Sequence, residues 1–350
     1  MVKVSNVPME EKVVAAGPPP FYTSFAEEYQ SLTERIGILD RSAVGRLTIS
    51  GKDALDLLNR LSTNELMTLE VSQGIPTALT SSKGRILDLL FVLKLEDHLL
   101  VLTAPESRQK VADWIDFYTF AEDVSVQDVT ETTTMLSLAG PNAASLLDQL
   151  TGQSVSSLAH YEHLQASIGG VDASVTRTDF SRLPGYDIVV SVAEGKRLWE
   201  EFLTDGGEAG GRPVGTQALE ATRVEQGVPA YGKEISEEFN PLEANLLEFI
   251  SFAKGCYVGQ EVITRLNTYK KVQKHLVGLR WNSDAIPKES AKLLVDGTQV
   301  GIVTSAVQSP RLRKAIGLGY VRKAHATPGT IVDTETANGQ TSTEVVELPQ

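Results

Sequence analysis

The sequence predicts an α+β protein that ends in a small β-barrel. Stretches typical of strands come in pairs followed by one helix, an order that favours antiparallel sheets over a regular βαβ repeat. From Leu276 onwards, short strands punctuated by glycines replace that order. Roughly 75 residues there suffice for a domain with its own core. We therefore expect a disordered or loosely attached arm over 1–20, a core of two subdomains over 21–271 and a barrel over 272–350.

The elements of the first part of the chain follow from the spacing of apolar residues. Helical spacing predicts helices over 21–39, after Gly51, from Pro105 to about Phe117, and over 141–150. Alternation predicts strands near 44–50, 75–80, 85–95, 99–103, 124–129 and 135–139.

The later part of the chain is interpreted in the same way. Strands are expected near 168–176 and 186–192, then a helix over 193–203, a flexible glycine-rich connection over 206–211 and a helix over 214–226. In the barrel, Gly297 and Thr298 predict a hairpin between 293–296 and 299–304, and strands at 316–321 and 330–333 continue the pattern.

Composition is that of an ordinary globular protein, with 41% hydrophobic and 22% charged residues in a chain of 350. No apolar run approaches the length of a membrane span, so no membrane contact is expected. The first 20 residues carry Glu10 and Glu11, lack an apolar core and end in Gly17-Pro18-Pro19-Pro20. They match neither a signal peptide nor a transit peptide, and a cytoplasmic location is expected.

Charge is unevenly distributed. The net charge of −13 predicts repulsion from nucleic acid and from anionic membranes. The stretch 262–283 nevertheless has no acidic residue and contains Arg265, Lys270, Lys271, Lys274 and Arg280. Two interpretations stay open, a solvated basic face, or an anion site for a polyanionic ligand tail or a weak RNA contact.

Cys256 is the only cysteine in the chain. An internal disulfide is therefore impossible, which fits a reducing compartment. A self-contained iron–sulfur site is excluded as well, because a typical cluster needs about four thiolates. If the protein handles a cluster, the other ligands come from elsewhere, and no resident metal is expected.

Two neighbours of Cys256 favour its thiolate form. Lys254 places a cation close by, and Gly255 followed by residues 258–263 predicts a turn that opens into a helix. Nearby cations and helix N-termini both lower the pKa of a thiol. The alternative is that Cys256 is a small buried apolar side chain, the more frequent role of a lone cysteine.

The helix that ends near Gln226 carries two late charged residues, Arg223 and Glu225. A glutamate in that position can accept two parallel hydrogen bonds from a planar N–H/NH₂ edge such as that of a pterin or guanine. The alternative is a solvent-facing glutamate paired with Arg223 or Lys233. Spacing alone favours the alternative.

Several stretches resemble the glycine-cleavage T protein (aminomethyltransferase) superfamily. The folate-binding core of that superfamily resembles residues 219–229 and 240–244, and its other signatures resemble 37–42, 50–54, 138–141, 301–305, 309–310 and 317–321. The resemblance spans roughly residues 21–335. It implies an aminomethyltransferase-like fold, with two interleaved α/β subdomains around a folate pocket and a C-terminal barrel.

Within that superfamily, residues 250–261, with the sequence Ile-Ser-Phe-Ala-Lys-Gly-Cys-Tyr-Val-Gly-Gln-Glu, resemble the hallmark of the YgfZ-type branch. That branch comprises folate-binding proteins linked to iron–sulfur cluster assembly or repair, and thereby to cluster-dependent tRNA modification. The resemblance implies tetrahydrofolate or a one-carbon derivative as cofactor, and iron–sulfur clients or assembly proteins as partners. It places Glu225 on the pterin edge and makes Arg223, Lys254, Tyr257 and Arg265 further folate-binding residues, the basic ones near the mouth where they receive the glutamate tail. It also makes Cys256 a nucleophile, redox partner or transient cluster ligand.

One departure from the transferases concerns Asp88. The transferases carry paired aspartates where this chain has Asp88 followed by Leu89, which argues against aminomethyl transfer. Asp88 is expected near the bound pterin as a catalytic carboxylate, or alternatively as a turn carboxylate paired with Arg85. Conversely, residues 241–244, Pro-Leu-Glu-Ala, are those of the transferases.

Weaker candidates surround these residues. Arg265 is expected either to pair with Glu261 at i,i+4 or to present its guanidinium to the folate glutamate or a partner. Tyr257 is expected to form an aromatic wall beside the thiol, while Phe252 is expected in the core. His160 and His163 lack a third ligand and are expected to be exposed polar residues.

Three functions are consistent with the sequence. The leading one is a tetrahydrofolate-binding protein that supports cluster assembly or repair through Cys256. The second is a folate-dependent aminomethyltransferase of the glycine-cleavage type. The third is a non-catalytic adaptor that binds a client protein or tRNA through the basic stretch 262–283.

Overall fold

The computed structural model describes residues 17–282, 286–336 and 339–350. Most of the predicted arm, residues 1–16, and the last residue of the basic stretch, Ser283, lie outside the described residues. In the described residues, α-helices of eight or more residues are mostly separated by groups of β-strands, as expected of an α+β protein. None of its helices has the length and hydropathy needed to span a membrane.

The helices and strands are numbered in chain order. The helices are α1 (Phe25–Glu34), α2 (Ala54–Leu61), α3 (Arg108–Phe117), α4 (Ala143–Thr151), α5 (Val192–Glu208), α6 (Thr216–Glu225) and α7 (Gln260–Thr268). The strands are β1 (Gly37–Asp40), β2 (Gly45–Ser50), β3 (Gly74–Thr80), β4 (Ile86–Lys94), β5 (Leu99–Thr103), β6 (Ser125–Asp128), β7 (Thr133–Ala139), β8 (His163–Ile168), β9 (Val171–Arg177), β10 (Gly185–Ser191), β11 (Arg212–Pro213), β12 (Lys274–Trp281), β13 (Lys292–Val295), β14 (Thr298–Ser309), β15 (Lys314–Arg322), β16 (Ile331–Thr336) and β17 (Gly339–Val346).

The chain divides into two compact units that alternate along the sequence. The described part of unit 1 comprises residues 17–44, 129–179 and 183–218, and that of unit 2 comprises 45–128, 180–182 and the described residues from 219 to 350. Each unit is therefore built from segments that are distant in sequence. This interleaving was expected from the resemblance of the sequence rather than from its local patterns.

Unit 1 is a six-stranded sheet in the order β11-β1-β7-β10-β9-β8, with helices packed on its apolar face. Leu146 and Leu147 of α4 and Phe202 of α5 are buried against Ile38 and the strand residues of the same core. Burial of one such side chain is worth about 1.5–3 kcal/mol, which explains why the apolar spacing predicted these elements correctly.

One prediction for unit 1 is wrong at its start. The flexible connection expected over 206–211 begins inside α5, which continues to Glu208. Gly206 is buried, and a Cβ added to it would lie 3.0 Å from Ile38 Cδ1. Close packing of the helix on β1 therefore outweighs the low helix propensity of glycine, about 1 kcal/mol relative to alanine.

Unit 2 contains a five-stranded sheet in the order β3-β4-β5-β2-β6 and a closed barrel in the order β12-β15-β14-β13-β16-β17. The hairpin predicted around Gly297 is confirmed by the antiparallel pairing of β13 with β14. Helix α3 begins at Arg108, later than the predicted Pro105, because residues 104–107 form a turn bound to a strand carboxylate described below. The predicted α+β class with a C-terminal barrel is confirmed.

Candidate functional site

Cys256 is exposed, so the expectation of a buried apolar cysteine is wrong. It lies on the segment 254–259, immediately before α7 begins at Gln260. The predicted turn leading into a helix is therefore present. An exposed thiol next to a helix N-terminus is open to reaction with a partner.

Lys254 has a different environment from that of a free cation beside the thiol. Its ammonium donates to the carbonyl oxygen and Oδ1 of Asn59, at 2.7 and 3.0 Å, and to the carbonyl oxygens of Ser62, at 2.9 Å, and Asn64. The residue is 7% exposed, and burial lowers the pKa of Lys254 to about 8. The charge of Lys254 is thus used to hold the end of α2.

The two aromatic residues that flank the thiol in sequence differ in burial. Phe252 is 48% exposed, so the expectation that it packs in the core is wrong. Tyr257 is 8% exposed and packs with Leu242, Ile250 and Ile263, and burial raises its pKa to about 12. Sequence spacing does not distinguish the two, because burial of a single aromatic residue in a loop depends on distant parts of the chain.

Asp88 is buried, and both of its carboxylate oxygens have donors. The backbone N–H of Leu89 donates to Oδ1 at 2.8 Å, while the N–H of Ala104 at 3.0 Å and the hydroxyl of Ser107 donate to Oδ2. Ser107 is the N-cap position of α3, so the carboxylate anchors the turn that precedes this helix. Burial raises the pKa of Asp88 to about 6 in spite of these donors.

The alternative expectation for Asp88 is wrong. Asp88 lies in β4 and not in a turn, and Arg85 bonds the carbonyl of Glu238 at 2.9 Å and the carboxylate of Glu243 at 3.4 Å. The sequence signal that would have identified the true partner of Asp88 is weak, since Ser107 lies nineteen residues further along the chain.

Glu225 ends α6 and is 2% exposed, so the expectation of a solvent-facing glutamate is wrong. The hydroxyl of Ser309 donates to its Oε1, and Arg311 Nε lies 3.8 Å from Oε2. Both partners come from the end of the barrel strand β14 and the turn after it. Glu225 thus ties the end of α6 to the barrel within unit 2.

Arg223 is the centre of a buried ion network. It pairs with Glu220 at 2.6 Å and with Glu234 at 3.1 Å, and it donates to the hydroxyl of Ser305 at 2.6 Å. Glu234 is fully buried, and the pKa of Arg223 is raised, because these hydrogen bonds and charges outweigh its desolvation. Removing one partner from such a network leaves an uncompensated buried charge.

Arg265 is exposed on α7, and in the described structure it forms no ion pair with Glu261. The rest of the basic stretch is partly used within unit 2. Lys274 Nζ lies 4.2 Å above the ring of Phe239, and burial lowers the pKa of Lys274. The interpretation of the whole stretch as a solvated face is therefore wrong for Lys274, whereas Lys270 and Lys271 are exposed.

His160 and His163 belong to unit 1, whereas the residues described above belong to unit 2. His160 is exposed and its Nε2 lies 2.8 Å from the Thr178 carbonyl oxygen, whereas His163 is buried, so the expected exposure is wrong for His163. Burial lowers the pKa of His163. The described residues contain no cluster of three or more His, Cys, Asp or Glu side chains placed to hold a metal ion.

The barrel serines are the residues that sequence reasoning missed. Ser305 and Ser309 bind Arg223 and Glu225, and both serines belong to the barrel motifs that resemble the superfamily. Their position in those motifs was the available signal. The hydroxyls were not recognised as partners because they lie more than eighty residues from the charges they bind.

Comparison with known proteins decides the family. The family description "GCVT N-terminal domain" matches residues 9–254, and "Glycine cleavage T-protein C-terminal barrel domain" matches residues 274–350. The chain belongs to the glycine cleavage T-protein family. This confirms the superfamily that the sequence resembles.

Individual relatives carry the name aminomethyltransferase. The protein of that name from Halothermothrix orenii is 29% identical over 334 residues, which cover 95% of this chain and 92% of the relative. The one from Streptomyces avermitilis is 30% identical over 336 residues, covering 95% and 90%. The crystal structure of glycine cleavage system aminomethyltransferase T from Bartonella henselae matches with a TM-score of 0.85 at 22% identity, covering 93% and 89%. This likeness confirms the aminomethyltransferase-like fold.

Tetrahydrofolate fits this family as cofactor. The side chains expected to contact it are nevertheless already bonded within the described protein, as the surroundings of Asp88, Arg223, Glu225 and Lys254 show. Arg265 is the exposed member of the expected set. Direct folate contact of the buried members stays a prediction.

Proposed function

We propose that this T-protein family member is a tetrahydrofolate-binding protein of the YgfZ type, which supports iron–sulfur cluster assembly or repair in the reducing cytoplasm. The observation that carries the proposal is the exposure of Cys256 at the start of α7, within the stretch that resembles the hallmark of that branch. Through cluster enzymes, the same activity would support tRNA modification.

A single thiol fits an assisting role better than ownership of a cluster. A cluster typically needs about four ligands, and this chain has one cysteine. The thiolate of Cys256 would bind one iron of a cluster held by a client or an assembly protein, which supplies the remaining ligands. The cluster is then cargo, and the chain keeps no metal of its own.

We propose that folate binds through residues whose polar groups are exposed. The Arg265 guanidinium is exposed and suits bidentate binding of a glutamate carboxylate. We propose that Tyr257, Asp88, Glu225 and Arg223 contribute by holding the segments around the site, because their polar groups or rings are buried. Bound folate would supply a reduced pteridine.

The decisive experiment compares wild type, Cys256→Ala and Cys256→Ser in cells that lack the chain. We expect wild type alone to restore the activity of a cluster-dependent enzyme. Equal rescue by all three proteins would remove Cys256 from the function and refute the proposal. Binding of tetrahydrofolate to each purified protein, measured by calorimetry without oxygen, is the control, and it should be the same for all three.

A second candidate is aminomethyl transfer to tetrahydrofolate, favoured by the names of the relatives. The chemistry of this chain argues against it. Asp88 is the one acid in the matching stretch, and its carboxylate holds the turn before α3. Formation of methylenetetrahydrofolate and ammonia from a carrier-bound aminomethyl group, unchanged in Cys256→Ser, would establish the transferase in place of the proposed function.

A further inference from the structure

The segment that carries Cys256 is attached to the rest of unit 2 on both sides of the thiol. On the N-terminal side, the Lys254 ammonium lies among four oxygens of residues 59–64. On the C-terminal side, the N–H of Val258 donates to the Arg60 carbonyl at 3.0 Å, and the Thr80 hydroxyl donates to the Val258 carbonyl at 2.7 Å. Cys256 lies midway between the two attachments.

The Lys254 site is built for an ammonium group. Three of its acceptors are backbone carbonyls at the C-terminal end of α2 and in the residues that follow, where a helix leaves carbonyls without internal partners. The fourth is the Asn59 amide oxygen, which also accepts from the Leu66 N–H at 2.9 Å. Lysine is favoured at helix C-termini because its charge complements the helix dipole.

The second attachment is tightly packed. Gly259 has a φ of 88°, and a Cβ there would lie 2.7 Å from the Ser81 carbonyl oxygen and 2.8 Å from Thr80 Oγ1. Between the attachments, the Tyr257 ring is buried, whereas Gly255 and Cys256 are exposed. The segment therefore has an inward anchor next to an outward thiol.

We propose that Lys254 is a positioning residue for Cys256, holding the segment 254–259 so that the thiol is presented in one orientation to its partner. This rests on the proposed function, since the partner is the cluster-bearing client. It replaces a direct role of Lys254 in folate binding. Lys254 acts only through the segment, and its ammonium has no proton left for a ligand, because three protons serve four oxygens.

The first test measures the motion of the thiol. A nitroxide attached to the purified full-length protein labels Cys256 alone, because the chain has no other cysteine. We expect a slow-motion spectrum in wild type and a clearly faster one in Lys254→Met, which keeps the length of the side chain and removes its donors. Exchange of the Val258 amide hydrogen, which is bonded to the Arg60 carbonyl, should become at least about tenfold faster in Lys254→Met.

The matched control is Lys94→Met. Lys94 is also a partly buried lysine of unit 2 that donates to a backbone carbonyl, that of Leu69 at 2.6 Å. Lys94→Met should leave the nitroxide spectrum and the exchange of the Val258 amide hydrogen unchanged. If Lys254→Met fails to fold, Thr80→Val tests the second attachment with one bond lost, and a smaller change in the same direction is expected.

The second test measures function. Rescue of a cluster-dependent enzyme by Lys254→Met should fall at least about tenfold, while the affinity for tetrahydrofolate stays within about twofold of wild type. A weaker folate affinity in Lys254→Met, or an unchanged spectrum and exchange rate, would overturn the positioning role. If Cys256→Ala rescues as well as wild type, the proposed function fails, but the spectrum and exchange still decide whether Lys254 holds the segment.

Discussion

The carboxyl group of Asp88 should make the stability of the protein depend on pH in a way that one substitution removes. Its pKa is raised from 3.8 to about 6 by burial in β4. The folded protein therefore binds more protons than the unfolded chain between these two values. Stability contributed by the protonated group is present below about pH 4 and is lost as the pH rises through about 6.

The size of the effect follows from the two pKa values. Their separation corresponds to about 3 kcal/mol at neutral pH, of which about 2 kcal/mol is recovered on acidification from about pH 7 to about pH 4. In Asp88→Asn the side chain does not titrate. The new amide also places a donor against the N–H of Ala104 or of Leu89, a cost that is the same at both pH values.

The assay is urea unfolding of wild type and Asp88→Asn, followed by tryptophan fluorescence at about pH 7 and about pH 4. The free energy of unfolding of wild type relative to the variant should increase by about 2 kcal/mol at the lower pH. Asp116→Asn, which removes an exposed carboxylate from α3, controls for the loss of one negative charge. An identical difference between wild type and Asp88→Asn at both pH values would refute the reasoning.

Two further substitutions test the attachments of unit 2. Arg223→Met leaves the buried carboxylate of Glu234 without its cation. The free energy of unfolding, measured in urea, should therefore fall by about 3–5 kcal/mol. A loss below about 1 kcal/mol would contradict the importance of the ion network. Gly259→Ala forces a Cβ to within 2.7 Å of the Ser81 carbonyl oxygen and should speed amide hydrogen exchange at the start of α7. Gly255→Ala is the control, because a Cβ at Gly255 meets open space and should leave that exchange unchanged. Equal exchange rates in the two variants would contradict the packing described for Gly259.

The sequence predicts most elements of this fold because their burial is periodic. Leu57, Leu58 and Leu61 of α2 are all buried, as their spacing requires. The barrel hairpin at Gly297 follows from turn chemistry in the same way. Errors arise where one residue is decided by a distant neighbour, as at Gly206, which packs on Ile38 and continues the helix.

The partners of the charged residues are less predictable than the elements. Sequence reasoning pairs charges with nearby charges, as in the expected pairs of Asp88 with Arg85 and of Glu225 with Lys233. In the structure, a serine hydroxyl donates to each carboxylate, that of Ser107 to Asp88 and that of Ser309 to Glu225. A hydroxyl can complete a buried carboxylate without carrying charge, so its contribution leaves no signal in a charge pattern.

The exposure of Cys256 and the burial of Tyr257 show the same limit at neighbouring positions. Both residues belong to one motif, and the motif alone predicts that the region is important. The Tyr257 ring is buried because it packs with Leu242, Ile250 and Ile263. Leu242 lies before the motif and Ile263 lies after it, so the motif alone does not show which side chain points outward. The family is predictable from the stretches that resemble it along the chain, but the presentation of the thiol is not.

The interleaved course of the chain has a practical consequence for dissecting the protein. Strand β1 pairs with β7 across an intervening segment in which residues 45–128 belong to the other unit. Cleavage at any one peptide bond cannot release either unit as a continuous fragment. Separate expression of the halves would require circular permutation or a designed bypass between residues 44 and 129, so genetic truncation is a poor way to assign activity to one half.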